Sequence, residues 1–427
     1  MKRIAIFGLL LLGGMALYGQ KEGFRYHFSG FVDPQLFFDT RQVVGARESE
    51  LLFYPAPKEL DAEENDLNAV PNLNMLAITT RLGLKVDAPK LGEWSTSAYV
   101  EGDFTGSTES GINMLRLRHA YVQFEQGEFR DRRLLLGQYW HPMVVPEIMP
   151  GTRPLNMGMP FHPYSRYVQA RYVRLRRGWG HTGLWWAATA AFQLDNSSLG
   201  PEGRSTGYLR QTGLPEGNAE MKIMWGDGGK IESMVGLMAN AELLRPRRSY
   251  TDAEGLSHRT GNTFPSFAFS LFGCHYFYGK WKISYQGIYG DNLFEQGMLG
   301  GYLETFSPSG QGYGYEPFGC AAVWADFRRR TGKWRPGLFV GYTKNLFFGR
   351  EFDPTAQAYG RGFDIDNVWR VQPQVAFCPF EHLHFCAEIE YTSATYGEKL
   401  SEGSSARYHA AYAVGNTRVV LSAVLYF

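Results

Sequence analysis

Five arginines crowd two short stretches of this chain: Arg116 and Arg118 in the first, Arg171, Arg174 and Arg176 in the second. A guanidinium stays charged and presents a rigid fork of donors, so several gathered on one surface attract anions. The chain as a whole is nearly neutral, with 43 basic and 42 acidic side chains and a formal net charge of +1. That balance excludes a general polyanion-binding surface, so nucleic acid is not an expected partner. Any pull on anions is therefore local.

Other chemistry is thinner. Gly203-Arg-Ser-Thr-Gly207 spells GxSxG, but it lies in a polar stretch without the strand-turn-helix setting of a nucleophile elbow. Glu381, His382 and His384 invite a metal reading, yet they sit at a strand start and no second cluster completes a site. The four cysteines (Cys274, Cys320, Cys378, Cys386) are sparse for a disulfide scaffold and show no CxxC spacing. Cys378 and Cys386 flank a tight connection, so they either face each other across a hairpin or stand as unpaired thiols. The chain reads as a non-enzyme with no cofactor and no metal.

The elements that must position these side chains follow an export signal. Lys2 and Arg3 precede an apolar run from Ile4 to Leu17, and small Gly19 precedes Gln20-Lys21-Glu22. This pattern predicts a signal peptide over 1–19 and one domain over 20–427. No later segment has the run of about 18 apolar residues that a membrane helix needs. Export without an anchor leaves a soluble secreted protein or a barrel in the outer membrane.

Alternation decides between them. Phe24, Tyr26, Phe28, Gly30, Val32, Leu36 and Phe38 fall on one face of a strand, and Arg25, His27, Ser29, Asp33, Gln35, Asp39 and Arg41 on the other. The pattern recurs in Leu76/Ile78/Leu82/Leu84/Val86, Leu184/Trp186/Ala188/Ala190/Phe192 and Phe385/Ala387/Ile389/Tyr391. Strands are expected at about 24–41, 75–87, 94–104, 113–125, 132–140, 165–177, 182–195 and 218–226. The second set falls at about 230–242, 264–278, 281–293, 315–329, 334–348, 365–377, 382–394 and 406–427. Even-numbered strands lead into brief turns such as 88–93, and odd-numbered strands mostly into long polar stretches such as 42–74 and 196–217. In hydrocarbon every backbone polar group must pair within the protein, so such strands cross only as a closed cylinder. Short turns on one rim and long loops on the other are what bacterial barrels show. The fold class is all-β: a transmembrane antiparallel β-barrel of about 16 strands, with 18 possible. That width leaves an aqueous lumen, and Trp94, Trp281, Trp334 and Phe427 suit aromatic girdles.

The chain stops at Phe427 after an alternating run, Val419, Leu421, Ala423, Leu425, which resembles the C-terminal signature of outer-membrane barrels. The apolar set just before it is Tyr408, Ala410, Tyr412, Val414. The parity flip near Gly415-Asn416 predicts a bulge there. Leu115-Arg-Leu-Arg-His-Ala-Tyr-Val-Gln-Phe-Glu125, followed by Leu134-Leu-Leu-Gly-Gln-Tyr-Trp140, resembles a hairpin of the trimeric porins, in particular their dicarboxylate- and phosphate-type groups. The resemblance spans about 25 residues. It implies a homotrimer in the outer membrane, in contact with lipid and lipopolysaccharide and inserted by the barrel-assembly machinery, which would read Phe427.

In such porins the loop after the fifth strand folds into the lumen and narrows it, and residues 141–164 take that place here. Their His141, Glu147, Arg153 and His162 then stand at a constriction, unless the loop is an ordinary external one. Arg116, Arg118, Arg171 and Arg174 would face it from the wall, or lie near the rims or at a subunit contact. Arg116 and Arg118 share parity with Ala120, Val122 and Phe124, which leaves the wet face of that strand open. The function expected is passive diffusion of small polar or anionic solutes, with modest anion preference because Glu101, Asp103 and Glu147 pull the other way. A barrel serving a transport or secretion assembly is the alternative, and an outer-membrane hydrolase a weaker one.

Overall fold

The computed structural model describes residues 23–127, 131–153, 157–178, 181–194, 196–226, 233–307, 312–346, 356–398 and 409–427. The expected leader at 1–19 lies outside them. Among the described residues, sixteen antiparallel strands close into one barrel. Strand β1 runs Arg25–Val32 and resumes at Gln35–Asp39 after the break at Asp33-Pro34; β2 likewise joins Asn72–Leu76 to Arg81–Leu91. Then come β3 (Trp94–Asp103), β4 (Arg116–Gln126), β5 (Arg132–Trp140), β6 (Arg166–Arg177), β7 (Thr182–Phe192) and β8 (Glu216–Trp225). The second half is β9 (Ser233–Leu244), β10 (Phe264–Phe277), β11 (Trp281–Asp291) and β12 (Gly312–Arg329). It ends with β13 (Trp334–Leu346), β14 (Ile365–Phe380), β15 (Leu383–Glu398) and β16 (His409–Tyr426). Each expected strand has its counterpart. The first brief turn is tighter than 88–93, because Leu91 still pairs with Trp94.

Closure is made by the two chain ends. Phe31 pairs with Tyr426 and Leu36 with Leu421, so β16 spans both halves of β1. Phe427 and Gly30 exchange backbone hydrogen bonds of 2.9 and 3.1 Å, and the Phe427 ring lies over Gly30, where a Cβ would meet it at 2.8 Å.

The outer wall carries Leu82, Val100, Leu117, Val122, Leu184, Leu237, Leu271, Val323, Val340, Val371, Ile389 and Leu421, all exposed. Alternate residues point inward and are polar in the middle of the wall, as the period of two requires. Exposed Trp334, Phe380 and Phe427 mark the short-turn rim. This apolar sheath around a polar interior is what a hydrocarbon setting selects.

On β4 a break in parity decides a face that the sequence left open, and on β16 parity holds against the sequence reading. Opposite β3, Glu101 pairs with His119 while Gly102 pairs with Leu117, so Arg118 is an extra residue on β4. This bulge lets Arg116 and Arg118 face inward together with His119, while Leu117 and Val122 face out. Gln138 fills the gap it opens, donating to the Leu117 and Arg118 carbonyls at 3.1 Å each. The expected bulge at Gly415-Asn416 does not form: β15 and β16 keep one register from Tyr396↔Tyr412 to Leu383↔Leu425. Tyr412 and Val414 are apolar yet point inward, because Tyr412 stacks on Tyr396 and Val414 joins a core inside the barrel.

That core exists because three loops from the long-loop rim turn into the lumen. Loop 40–71 contributes Leu51, Phe53 and Tyr54, and loop 292–299 contributes Leu293, Met298 and Leu299. Residues 141–164 contribute Met143, Val144, Val145, Ile148, Met159, Phe161 and Tyr164. They pack on Phe272, Ile288, Trp324 and Phe339 of the wall.

Candidate functional site

A loop inside a barrel must find partners for its backbone, and here the wall supplies them. Gln286 donates to the Met143 carbonyl at 3.1 Å, Lys282 to that of Glu147 at 2.5 Å, and Arg370 to that of Met159 at 2.8 Å. The Gly151 N–H donates to Asp326 at 3.2 Å and the Arg153 N–H to Glu388 at 2.7 Å. Phe161 is fully buried, its ring so close over Gly341 that a Cβ there would meet it at 2.5 Å. The loop thus crosses from β5 to the far side of the lumen.

Several residues singled out in the sequence serve this crossing. His141 Nε2 lies 2.5 Å from Glu216 Oε1 at the near end. Glu147 takes a hydrogen bond from Lys222 Nζ at 3.1 Å; burial would raise its carboxyl, but Lys222 holds it below the usual value. Arg153 donates to the Tyr426 hydroxyl at 3.2 Å and, through its carbonyl, accepts from Gln35 at 3.3 Å. His162 is buried edge-on against Trp324, and burial pushes its imidazole down to about 3, so it is neutral.

The arginines divide. Arg116 grips Asp103 with two bonds of 2.8 and 3.1 Å. Arg118, fully buried, reaches Asp103 and Glu101 at 2.8 Å each and donates to the Tyr164 hydroxyl at 3.2 Å. Arg166 joins them, its guanidinium 5.1 Å from the Trp140 ring centre and 5.4 Å from that of Tyr164. Arg171 faces inward elsewhere, against Glu220. Arg174 does not face the lumen: it shares the outward face of β6 with Val168, Ala170 and Tyr172 and lies near Asp131 at the short-turn rim. Residues 171 and 174 have opposite parity, so one straight strand cannot present both.

Around Tyr164 opens a cavity of about 90 Å³, room for about three water molecules. Arg47, Arg116, Arg166, Arg204 and Arg361 line it, with Glu295 the only acid among its lining residues. Burial pushes the Glu295 carboxyl up, which favours its neutral form. Beyond the crossing loop, towards the short turns, a second cavity is lined by Arg153, Arg328, Arg329, Arg330 and Arg335 together with Glu388. Both sides of the crossing are therefore cationic. Periodicity could have found Arg81, Arg370 and Arg418, which lie on wet faces of their strands; Arg47 lies in a turn, and Arg204 and Arg361 end short strands within the long connections, so none of the three gave a signal.

The discounted motifs have plain structural roles. Ser205 accepts the Gly207 N–H at the start of a short helix. His382 stacks on Phe380 and His384 packs edge-on against Tyr426. Cys378 and Cys386 both border the second cavity and form no disulfide. Arg247, in the loop after β9, is held by Glu304 through two bonds of 2.8 Å.

Neither family models nor curated protein sequences match this chain. Solved structures do. The outer membrane channel DcaP of Acinetobacter baumannii superposes on 96% of this chain and 99% of its own, with a TM-score of 0.64 at 18% identity. OmpT, an outer membrane protein of Vibrio cholerae, gives a TM-score of 0.52 at 12% identity over 96% and 99% of the two chains. An anion-selective porin from Comamonas acidovorans gives 0.52 at 10% identity over 95% and 100%. At such identities the likeness is one of fold. That fold is a closed sixteen-stranded antiparallel barrel, as in these outer-membrane proteins.

Proposed function

We propose that this chain is an outer-membrane porin that passes small polar solutes and prefers anions. The observation that carries this reading is the pair of arginine-lined cavities on either side of the loop that crosses the lumen. In a narrow, partly desolvated passage a few charges act at short range and low dielectric, so they outweigh a nearly neutral whole. Asp103, Glu101 and Glu388 offset part of the positive charge and keep the preference modest. The long loops then face outside, the short turns the periplasm, and Phe427 serves recognition by the assembly machinery. A homotrimer is the expected assembly; one OmpT structure among the fold relatives is itself described as a trimer form.

The test is ion current through purified protein in planar bilayers. Reversal potentials across a salt gradient should show anion preference, and replacing Arg116, Arg118 and Arg153 together should reduce or invert it. Cation preference in the parent, or no change in the triple variant, would place these arginines outside the conduction path.

Seating of the loop is separately testable. Phe161→Ala removes a buried ring worth about 3–5 kcal/mol of packing. Single-channel conductance should rise and open-channel noise increase. Unchanged traces would mean that the backbone anchors alone hold the crossing.

A further inference from the structure

Tyr164 stands among the arginines of the smaller cavity. Its hydroxyl accepts from Arg118 at 3.2 Å, and its ring borders the cavity that Arg47, Arg116, Arg166, Arg204 and Arg361 line. Trp140 packs edge-on against it at 5.4 Å, and its backbone is pinned by the Gln296 carbonyl, which takes the Tyr164 N–H at 2.7 Å. The phenol therefore cannot swing away from the guanidiniums without unseating the end of the loop.

We propose that Tyr164 is a selectivity-setting residue: its hydroxyl, on losing its proton, becomes a built-in counter-anion that competes with solute anions for Arg116, Arg118 and Arg166. This rests on the anion-preferring reading above and deepens it. Burial alone would raise the phenol, but Arg118, Arg166 and Arg116 overcome it and bring Tyr164 down to about 7, with Asp103 opposing them. The groups that face it from the surrounding elements are Arg116 and Arg118 on β4, Arg166 on β6, and Asp103 and Glu101 on β3. Arg81 on β2 and, across the cavity, Arg47, Arg204, Arg361 and Glu295 complete the set. Below about pH 7 the phenol is neutral and the positive charge around the cavity is offset only by the neighbouring acids. Above it, a negative oxygen stands among the arginines.

The sign follows directly. Anion preference should be greatest at acid pH and fall several-fold as the pH rises through about 7. Tyr164→Phe should keep the acid-side preference as the pH rises through about 7, leaving only the later ionisation of Glu295. Glu50 is the natural control: this buried carboxyl of loop 40–71 is also held up, to about 8, by burial and Asp33, but it does not border the cavity. Glu50→Gln should leave the step near neutral pH in place.

The experiment is reversal potential with potassium chloride gradients, measured from mildly acid to mildly alkaline pH for the parent, Tyr164→Phe and Glu50→Gln. A near-ultraviolet titration of the folded parent should also show one phenolate forming near neutral pH, absent from Tyr164→Phe. The proposal is overturned if the parent prefers anions but shows no step, if Tyr164→Phe keeps the step, or if no early phenolate forms. Cation preference at every pH would instead defeat the anion reading itself, which separates the two failures.

Discussion

Deleting Phe427 should abolish most folded, heat-modifiable protein in the membrane, while a chain refolded in vitro into lipid vesicles should lose much less. The local loss is small. The ring is 60% exposed and the residue contributes two backbone bonds to Gly30, each worth about 1 kcal/mol net. A deficit far beyond that points to a step in which the terminal residue is read during assembly, before it packs at all. Equal folded yields with and without Phe427, measured by gel mobility before and after boiling, would reduce the residue to a rim contact.

Asp103→Asn should be the most damaging single substitution in the wall. Asp103 is fully buried and bridges Arg116 and Arg118, taking three charge-assisted bonds of 2.8–3.1 Å. Removing one member of a buried ionic group leaves the others uncompensated, at a cost of about 3–5 kcal/mol. The thermal midpoint of the folded barrel in detergent should drop, and any channels that survive should prefer anions more strongly than the parent. A midpoint equal to the parent's would show that water reaches the arginines and screens them.

The barrel was legible because lipid imposes one rule on every strand. Leu421 or Val340 must be apolar whatever the pore carries, so alternation and loop lengths locate all sixteen strands within a few residues. The site was less legible because two of its determinants have no period. The extra residue at Arg118 reverses parity within β4, and nothing in Leu115–Glu125 marks where the reversal falls. Tyr412 and Val414 mislead in the other direction: an inward face turns apolar wherever a loop packs on it, and the loop's position is a tertiary fact. The charged members of 141–164 serve as anchors of the crossing, bonded to partners far away in the chain. Arg47, Arg204 and Arg361 reach the cavity only through the way their loops fold.

The crossing loop also has a consequence for the order in which the molecule becomes competent. It leaves the chain after β5, yet its far partners are 175 residues away at Asp326, 211 at Arg370, 235 at Glu388 and 273 at Tyr426. Contacts of such span cannot form until the last strands are in place, and they contribute nothing to the early, local pairing of hairpins. The crossing loop is thus expected to seat late in assembly. On the function proposed above, a partly assembled cylinder would be a leak rather than a sieve, and selectivity would report completion of the barrel.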